Sequence, residues 1–400
     1  VLLPPLVMTG VSAASMLLSK GSLINLLYAV PMSLVAVVTT VISYSAQVRR
    51  YRRDKKKKIK SYEAYIAGAA AQIEAACHRQ RVSANTANPE TGYCYEIVAE
   101  RMRRLWERSA QDADFLEVRL GKGSIPLNME IRLPETPLGE DRNPQLKRLA
   151  DALDAMRSVR DIAVTLPLKD AGITGIVGNR QTGIKAVQNA IVQLVTHHSY
   201  ADLLLAVAAN GQDYGTWAWT RWLPHTWTPD RQLRFVSADR KQAAQLCGYL
   251  EGILKKRMDA VCGGKNPDMV MVPHIVLVIT DSSITESREF QNLAAAAGQP
   301  CGLSILLLSD SLKKLPKECS WFVEVNHSGG SVYSKEDSTQ KTAFVLDDFC
   351  EYEKLARALA PVRDSSVIKN SALPASVTFF EGYGIKDVQE LSILRRWEAA

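Results

Sequence analysis

The chain has 400 residues, 46% hydrophobic and 23% charged, a globular composition with room for more than one domain. Its net charge of +7 is local: Arg49 to Lys60 hold nine basic residues against Asp54, so the other 388 residues carry 40 basic and 41 acidic groups, or −1. That leaves no general basic surface for nucleic acid, and seven cysteines without a CxxC pair or a Cys/His cluster argue against zinc and read as reduced packing thiols.

The first 48 residues contain one charged side chain, Lys20. Residues 1–19 and 21–48 are each near or above the roughly 18 to 20 apolar residues that span a bilayer. They predict a transmembrane hairpin over 1–48, with Ser19-Lys20-Gly21-Ser22 as its short outer loop. The first run is the weaker, diluted by Pro4, Pro5, Thr9, Gly10, Ser12 and Ser15. A secretory signal is the alternative, but no basic segment precedes the run and a longer apolar run follows it. The chain opens on Val1 without an initiator Met, so further residues are expected upstream. Next come Arg49, Arg50, Arg52, Arg53, Lys55, Lys56, Lys57 and Lys58. Beside a membrane span such a run marks the cytoplasmic side and attracts anionic lipid. The expected location is the cytoplasmic membrane, multi-pass, with the soluble body in the cytoplasm.

A juxtamembrane stalk helix is predicted over 49–90. Ile59, Tyr62, Ile66, Ala69, Ile73 and Ala76 recur at steps of three and four, a heptad stripe that pairs with a second copy or lies against the chain's own soluble domain. The turn-formers of SANTANPE, 83–90, predict fraying at its end.

Residues 91–363 alternate strand-like and helix-like stretches. Phe115 to Leu120 alternates as a half-buried strand does; 163–167, 173–177, 203–209, 233–237, 274–280 and 303–309 are buried-strand runs; Gly183 to His197 has helical spacing. The pattern predicts an α/β domain whose mostly parallel sheet is covered by helices, with a linker over 364–400.

Within it, GIVGNRQTGIKAVQNA (175–190) is nearly a phosphate-binding loop. GxxxxGK[ST] wraps phosphates in glycine amides, reaches them with lysine and holds Mg²⁺ with the hydroxyl. Here Gly178 and Gly183 keep the spacing, Ile184 takes the lysine position, Lys185 comes one residue late and Ala186 has no hydroxyl. A second candidate is HIVLVITDSS, where Asp281 follows an apolar run as a Walker-B carboxylate does, with Ser282 in place of the usual Glu. Gly178, Gly183, Lys185 and Asp281 are the candidate, degenerate nucleotide positions; a plain strand-turn-helix corner accounts for the same glycines. His197 and His198 end a helix, where a cation complements the dipole. WAWTRWLPHTW (217–227) holds four of the seven tryptophans, as a packing corner or a docking surface. Nothing resembles a Ser/His/Asp relay or a paired-carboxylate site.

The order of hairpin, basic helix, RLWERSAQDADFLEVRLGKG (104–123), GIVGNR, HHSYADLLLAV, WAWTRWLPH, PHIVLVITD and GYGIKDVQELSILRRW (382–397) resembles the membrane-proximal part of the EssC/EccC-type ATPases of type VII (ESX-like) secretion systems, within the FtsK/SpoIIIE superfamily. The likeness runs through essentially the whole chain; the WER-DFLEVRLG-G and WLPH blocks are its specific parts. It implies a P-loop-NTPase-like domain with degenerate nucleotide motifs, no catalytic residue and no cofactor in this segment. It also implies ATPase modules beyond Ala400 that use ATP and Mg²⁺, forkhead-associated domains upstream in some members, other type VII membrane components and homo-oligomeric copies as partners, and export of WXG-type substrates through the downstream modules. No nucleic acid is expected. The function so implied is a non-hydrolytic membrane anchor and coupling segment of the secretion motor; the alternatives are a membrane-anchored DNA translocase of the same superfamily and a passive oligomeric scaffold.

Overall fold

The computed structural model describes residues 10, 23–129, 157–209, 211, 214–228, 231–262, 271–299, 301–364 and 378–379, without the side chains of 23–33 and 260–262. The chain divides into two units, Val1–His78 with Met129–Arg157, and Arg79–Asn128 with Ser158–Ala400.

In the first unit lies α1 (Leu23–Ala87), 65 residues long, as far as His78. Among the described residues no helix is long and apolar enough to cross a membrane. Apart from Gly10, the first predicted span lies outside the described residues. In the second, side chains are described only from Leu34, and 34–48 gives fifteen residues before Arg49, short of the roughly 20 that a span needs. The transmembrane pair and the multi-pass placement are therefore unsupported by the described residues. Along the heptad stripe Ile73 is buried and Ile59, Tyr62, Ile66, Ala69 and Ala76 are half-buried, whereas most residues between them are exposed. The stripe is thus the less exposed side of this part of the helix.

The second unit is built on one ten-stranded sheet. Its strands are β1 (Glu117–Pro126), β2 (Ser158–Pro167), β3 (Ile173–Gly178), β4 (Leu203–Ala208), β5 (Val236–Ser237), β6 (His274–Ile279), β7 (Leu303–Ser309), β8 (Cys319–Val325), β9 (Gly329–Ser334) and β10 (Thr342–Leu346). The helices that position the site are α2 (Thr91–Ala99), α3 (Arg180–His197), α4 (Arg240–Cys262), α5 (Arg288–Ala296) and α6 (Tyr352–Leu359). The spatial order is β2-β1-β10-β9-β8-β3-β7-β6-β4-β5.

From β8 to β5 every pairing is parallel; from β8 through β9, β10 and β1 to β2 every pairing is antiparallel. Five of nine pairings are parallel, a narrower majority than the apolar runs predict. Every residue of β4, β6 and β7 is buried, because α3 covers one face and α4 and α5 the other. The antiparallel half pairs strands of mixed buried and open positions; no apolar run announces β8 to β10, because Glu324 interrupts β8, Gly329, Gly330 and Ser331 open β9, and β10 is five residues long with one of them buried. Both outer edges are blunted: β5 is two residues long, and the backbone of β2 is met by side chains of α1.

Candidate functional site

Gly178 ends β3 at φ 125°, and a Cβ there would lie 2.1 Å from the carbonyl oxygen of Val325 on β8, so only glycine fits. The next residue does what a phosphate would do. Asn179 is the N-cap of α3, its Oδ1 accepting from the Thr182 N–H at 3.0 Å and the Thr182 hydroxyl at 3.1 Å. Helix α3 therefore begins at Arg180, and the four residues between the glycines are a cap and a first helical turn. Gly183 lies inside that helix, where a Cβ would meet Leu308 Cδ1 at 2.7 Å; its smallness lets α3 close on β7.

The other two candidate positions are engaged elsewhere. Lys185 Nζ pairs with Asp348, whose exposed carboxyl it holds below the usual range. Asp281 caps the turn after β6, its Oδ1 accepting from the Ser283 N–H at 2.8 Å. Strand β7 separates β6 from β3, so the carboxyl end of β6 stands about 10 Å from that of β3. Arg180 bridges this gap: Nη2 donates to Thr280 O at 3.4 Å and Nη1 lies 3.8 Å from Asp310 Oδ1 past the end of β7. The structure thus joins Gly178 and Gly183 through one cap and assigns Lys185 and Asp281 to separate local contacts.

Three side chains stand in a relay's order without its full set of hydrogen bonds. Cys94 Sγ lies 3.9 Å from His197 Nε2, and His197 Nδ1 lies 3.6 Å from Glu107 Oε1, the order of a nucleophile, base and orienting acid. Burial disarms it. Cys94 is fully enclosed and its thiol is pushed up to about 12, while burial also lowers His197. Glu107 is held down to about 2 by its contacts with His197 and then Arg104.

Burial works against the expectation that His197 and His198 act as cations at a helix end, and for His198 the geometry overturns it. His198 is driven to about 3 by burial; its Nδ1–H donates to Leu194 O at 2.9 Å and its Nε2 accepts from the Leu116 N–H at 3.0 Å, which fixes a neutral tautomer. Nearby, His225 donates from Nε2 to His198 O at 2.8 Å, and His274, the first residue of β6, from Nε2 to Ser304 Oγ at 2.8 Å. Phe115 stands edge-on to both His198 and His274, at 5.1 and 6.1 Å. These imidazoles are core groups.

The tryptophan cluster packs as well. Trp217 and Trp219 are buried, Trp219 stacked on Tyr352 of α6 at 5.5 Å. Half-buried Trp222 lies under Arg357 at 4.6 Å and Trp227 under Arg234 at 4.1 Å. By contrast, Arg49, Arg50, Arg52, Arg53, Lys55, Lys56, Lys57 and Lys58 are all exposed on α1. At about 100° per residue they project on every side of the helix, a collar of charge.

No family model matches the chain. Over 403 aligned positions that cover 99% of this chain it is 26% identical to the type VII secretion system protein EssC of Staphylococcus aureus (strain NCTC 8325 / PS 47). Over 401 aligned positions, again covering 99% of this chain, it is 23% identical to the ESX secretion system protein YukB of Bacillus subtilis (strain 168). The chain spans about a quarter of these curated relatives, 27% and 26% of their lengths. Among solved structures it is similar to the cytoplasmic domain of the Thermomonospora curvata type VII secretion ATPase EccC, with TM-score 0.43, 14% identity, 64% of this chain covered and 32% of that one.

Proposed function

From the homology of this chain to the EssC/EccC-type ATPases of type VII secretion systems, evident along nearly all of its length, we propose that it is the membrane-proximal anchor and coupling segment of such a motor, with an α/β domain that does not hydrolyse nucleotide. One observation carries the non-hydrolytic half: the segment that would wrap a phosphate is the capped first turn of α3, with Asn179 holding the Thr182 amide, Ile184 at the lysine position and Lys185 one place late, in a surface pair with Asp348. Neither the metal-holding hydroxyl nor a carboxylate pair beside it is available there. In this reading ATP and Mg²⁺ act in modules beyond Ala400, and the WXG-type substrates meet those modules rather than this one.

The anchor half rests on the apolar run up to Val48 and the collar of Arg and Lys that follows it. Such a collar, seated among headgroups, draws anionic lipid at about 1 kcal/mol per basic residue near the surface. Binding to phosphatidylglycerol vesicles that weakens with added salt tests the anchor. For the domain, purified chain should turn over ATP at background rate with or without Mg²⁺, and turnover abolished by Asp281→Asn would overturn the assignment.

A further inference from the structure

A helix ends in carbonyls that its own backbone leaves unpaired, at the negative end of its dipole. Helix α1 has no basic residue in its last turn, and Asn88-Pro89 stops the backbone from continuing. Three arginines remote in sequence supply what is missing. Arg104 Nη2 donates to Thr86 O at 2.8 Å, Arg108 Nη2 to Ala87 O at 2.7 Å and to Asn88 Oδ1 at 2.8 Å, and Arg119 Nη1 to Asn88 O at 2.9 Å. The side chains of Arg108 and Arg119 are 3% and 1% exposed. Each guanidinium is aimed by a carboxylate: Arg104 by Glu107 at 2.8 Å, Arg108 by Asp114 at 2.9 Å, Arg119 by Asp347 at 2.9 Å.

The same stretch caps a second helix. The Trp106 N–H donates to Thr196 O at 2.9 Å, its indole Nε1–H to Val195 O at 3.0 Å and the Arg108 N–H to His197 O at 3.0 Å, the last carbonyls of α3. To do so Trp106 adopts the left-handed conformation, φ 58°, which a bulky side chain takes only where its surroundings hold it. Two amide side chains of α1 meanwhile pair with strand backbone as a neighbouring strand would. Asn85 donates to Asp161 O at 3.0 Å and accepts from the Ala163 N–H at 2.8 Å; Gln80 donates to Pro126 O at 3.1 Å and accepts from the Asn128 N–H at 2.8 Å.

We propose that Arg104, Trp106, Arg108 and Arg119 are positioning residues of a joint, a guanidinium clasp that locks the end of α1 from Gln80 onward, the end of α3 and the β1–β2 hairpin into one cooperative body. The joint lies within the second unit and is a property of the chain whether or not the secretion reading holds.

Hydrogen exchange on the full chain in detergent tests it without reference to ATP turnover. Arg108→Lys keeps the charge and loses the fork, so amides 82–88 and 194–198 should exchange at least about tenfold faster while β4, β6 and β7 keep their rates. Asn88→Asp, which retains the acceptor, should keep full protection at 82–88. Half-buried Asn85→Ala reads the same joint where Arg108→Lys fails to fold: Ala163 and 82–86 should lose protection together. Unchanged exchange at 82–88 in Arg108→Lys, unchanged exchange at 82–86 in Asn85→Ala, or an equal rise in β4, β6 and β7 in either variant, overturns the proposal.

Discussion

Lowering the pH from 7 to 5 should destabilise the α/β domain by several kcal/mol, through histidines that the fold keeps neutral. Burial depresses His198 to about 3, His225 to about 4 and His274 to about 3, against 6.5 for an exposed imidazole. The cations that bear on them push the same way, Arg108 on His198 and Arg257 and Lys169 on His274. As the pH falls the unfolded chain takes up protons first, so stability is complete above 6.5 and declines toward the folded values. From pH 7 to 5 each imidazole removes about 1.9 kcal/mol, or about 6 kcal/mol for three, against about 2 kcal/mol in total from pH 7 to 6. That is comparable with the whole stability of many domains, about 5–15 kcal/mol. Urea titrations of the chain at pH 7, 6 and 5, followed by tryptophan fluorescence, measure the loss. His225→Gln should shrink the difference between pH 7 and 5 by about a third, whatever it does to stability at pH 7. Equal midpoints at pH 7 and 5 would refute the reasoning.

Three further outcomes are expected. Gly178→Ala places a Cβ 2.1 Å from Val325 O at φ 125° and should cost about 2 kcal/mol or more in urea titration. Asp347→Ala leaves Arg119, 1% exposed, without its carboxylate and should cost about 3–5 kcal/mol, whereas Asp348→Ala, removing an exposed partner, should be nearly silent. Ile184→Lys combined with Lys185→Ser writes GxxxxGKS into the chain, yet fluorescent ATP should still show no saturable binding, because residues 180–183 remain helical; micromolar binding would show that side chains alone had disabled the loop.

What was legible in the sequence follows burial. β4, β6 and β7 are enclosed on both faces, so their apolar runs announced strands, and the helix after Gly183 showed its period. The antiparallel half sent a weaker signal because its strands carry glycine or charge and owe their places to pairing across the sheet, as Gly121 with Leu346 or Phe344 with Gly330. The end of α1 is illegible locally for a related reason. Ser83, Asn85, Thr86 and Asn88 are turn-formers locally, yet the helix persists to Ala87 since Arg104, Arg108 and Arg119, brought in by the fold, satisfy its last carbonyls. The place of His197 and His198 on the helix suggests cations, whereas burial lowers both and the Leu116 N–H donating to Nε2 holds His198 neutral.

The paired glycines show why a motif's spacing underdetermines its chemistry. Gly178 is required by the approach of Val325 O and Gly183 by the side chain of Leu308, and both demands come from docking a strand-turn-helix unit against β8 and β7. Neither demand involves a phosphate. A working loop needs four residues between those glycines with their amides unspent, whereas Asn179 starts the helix at once and takes the Thr182 amide for itself. In this chain it is the Asn179 cap, observed in the structure, and not the glycine spacing that identifies the corner as an ordinary helix start.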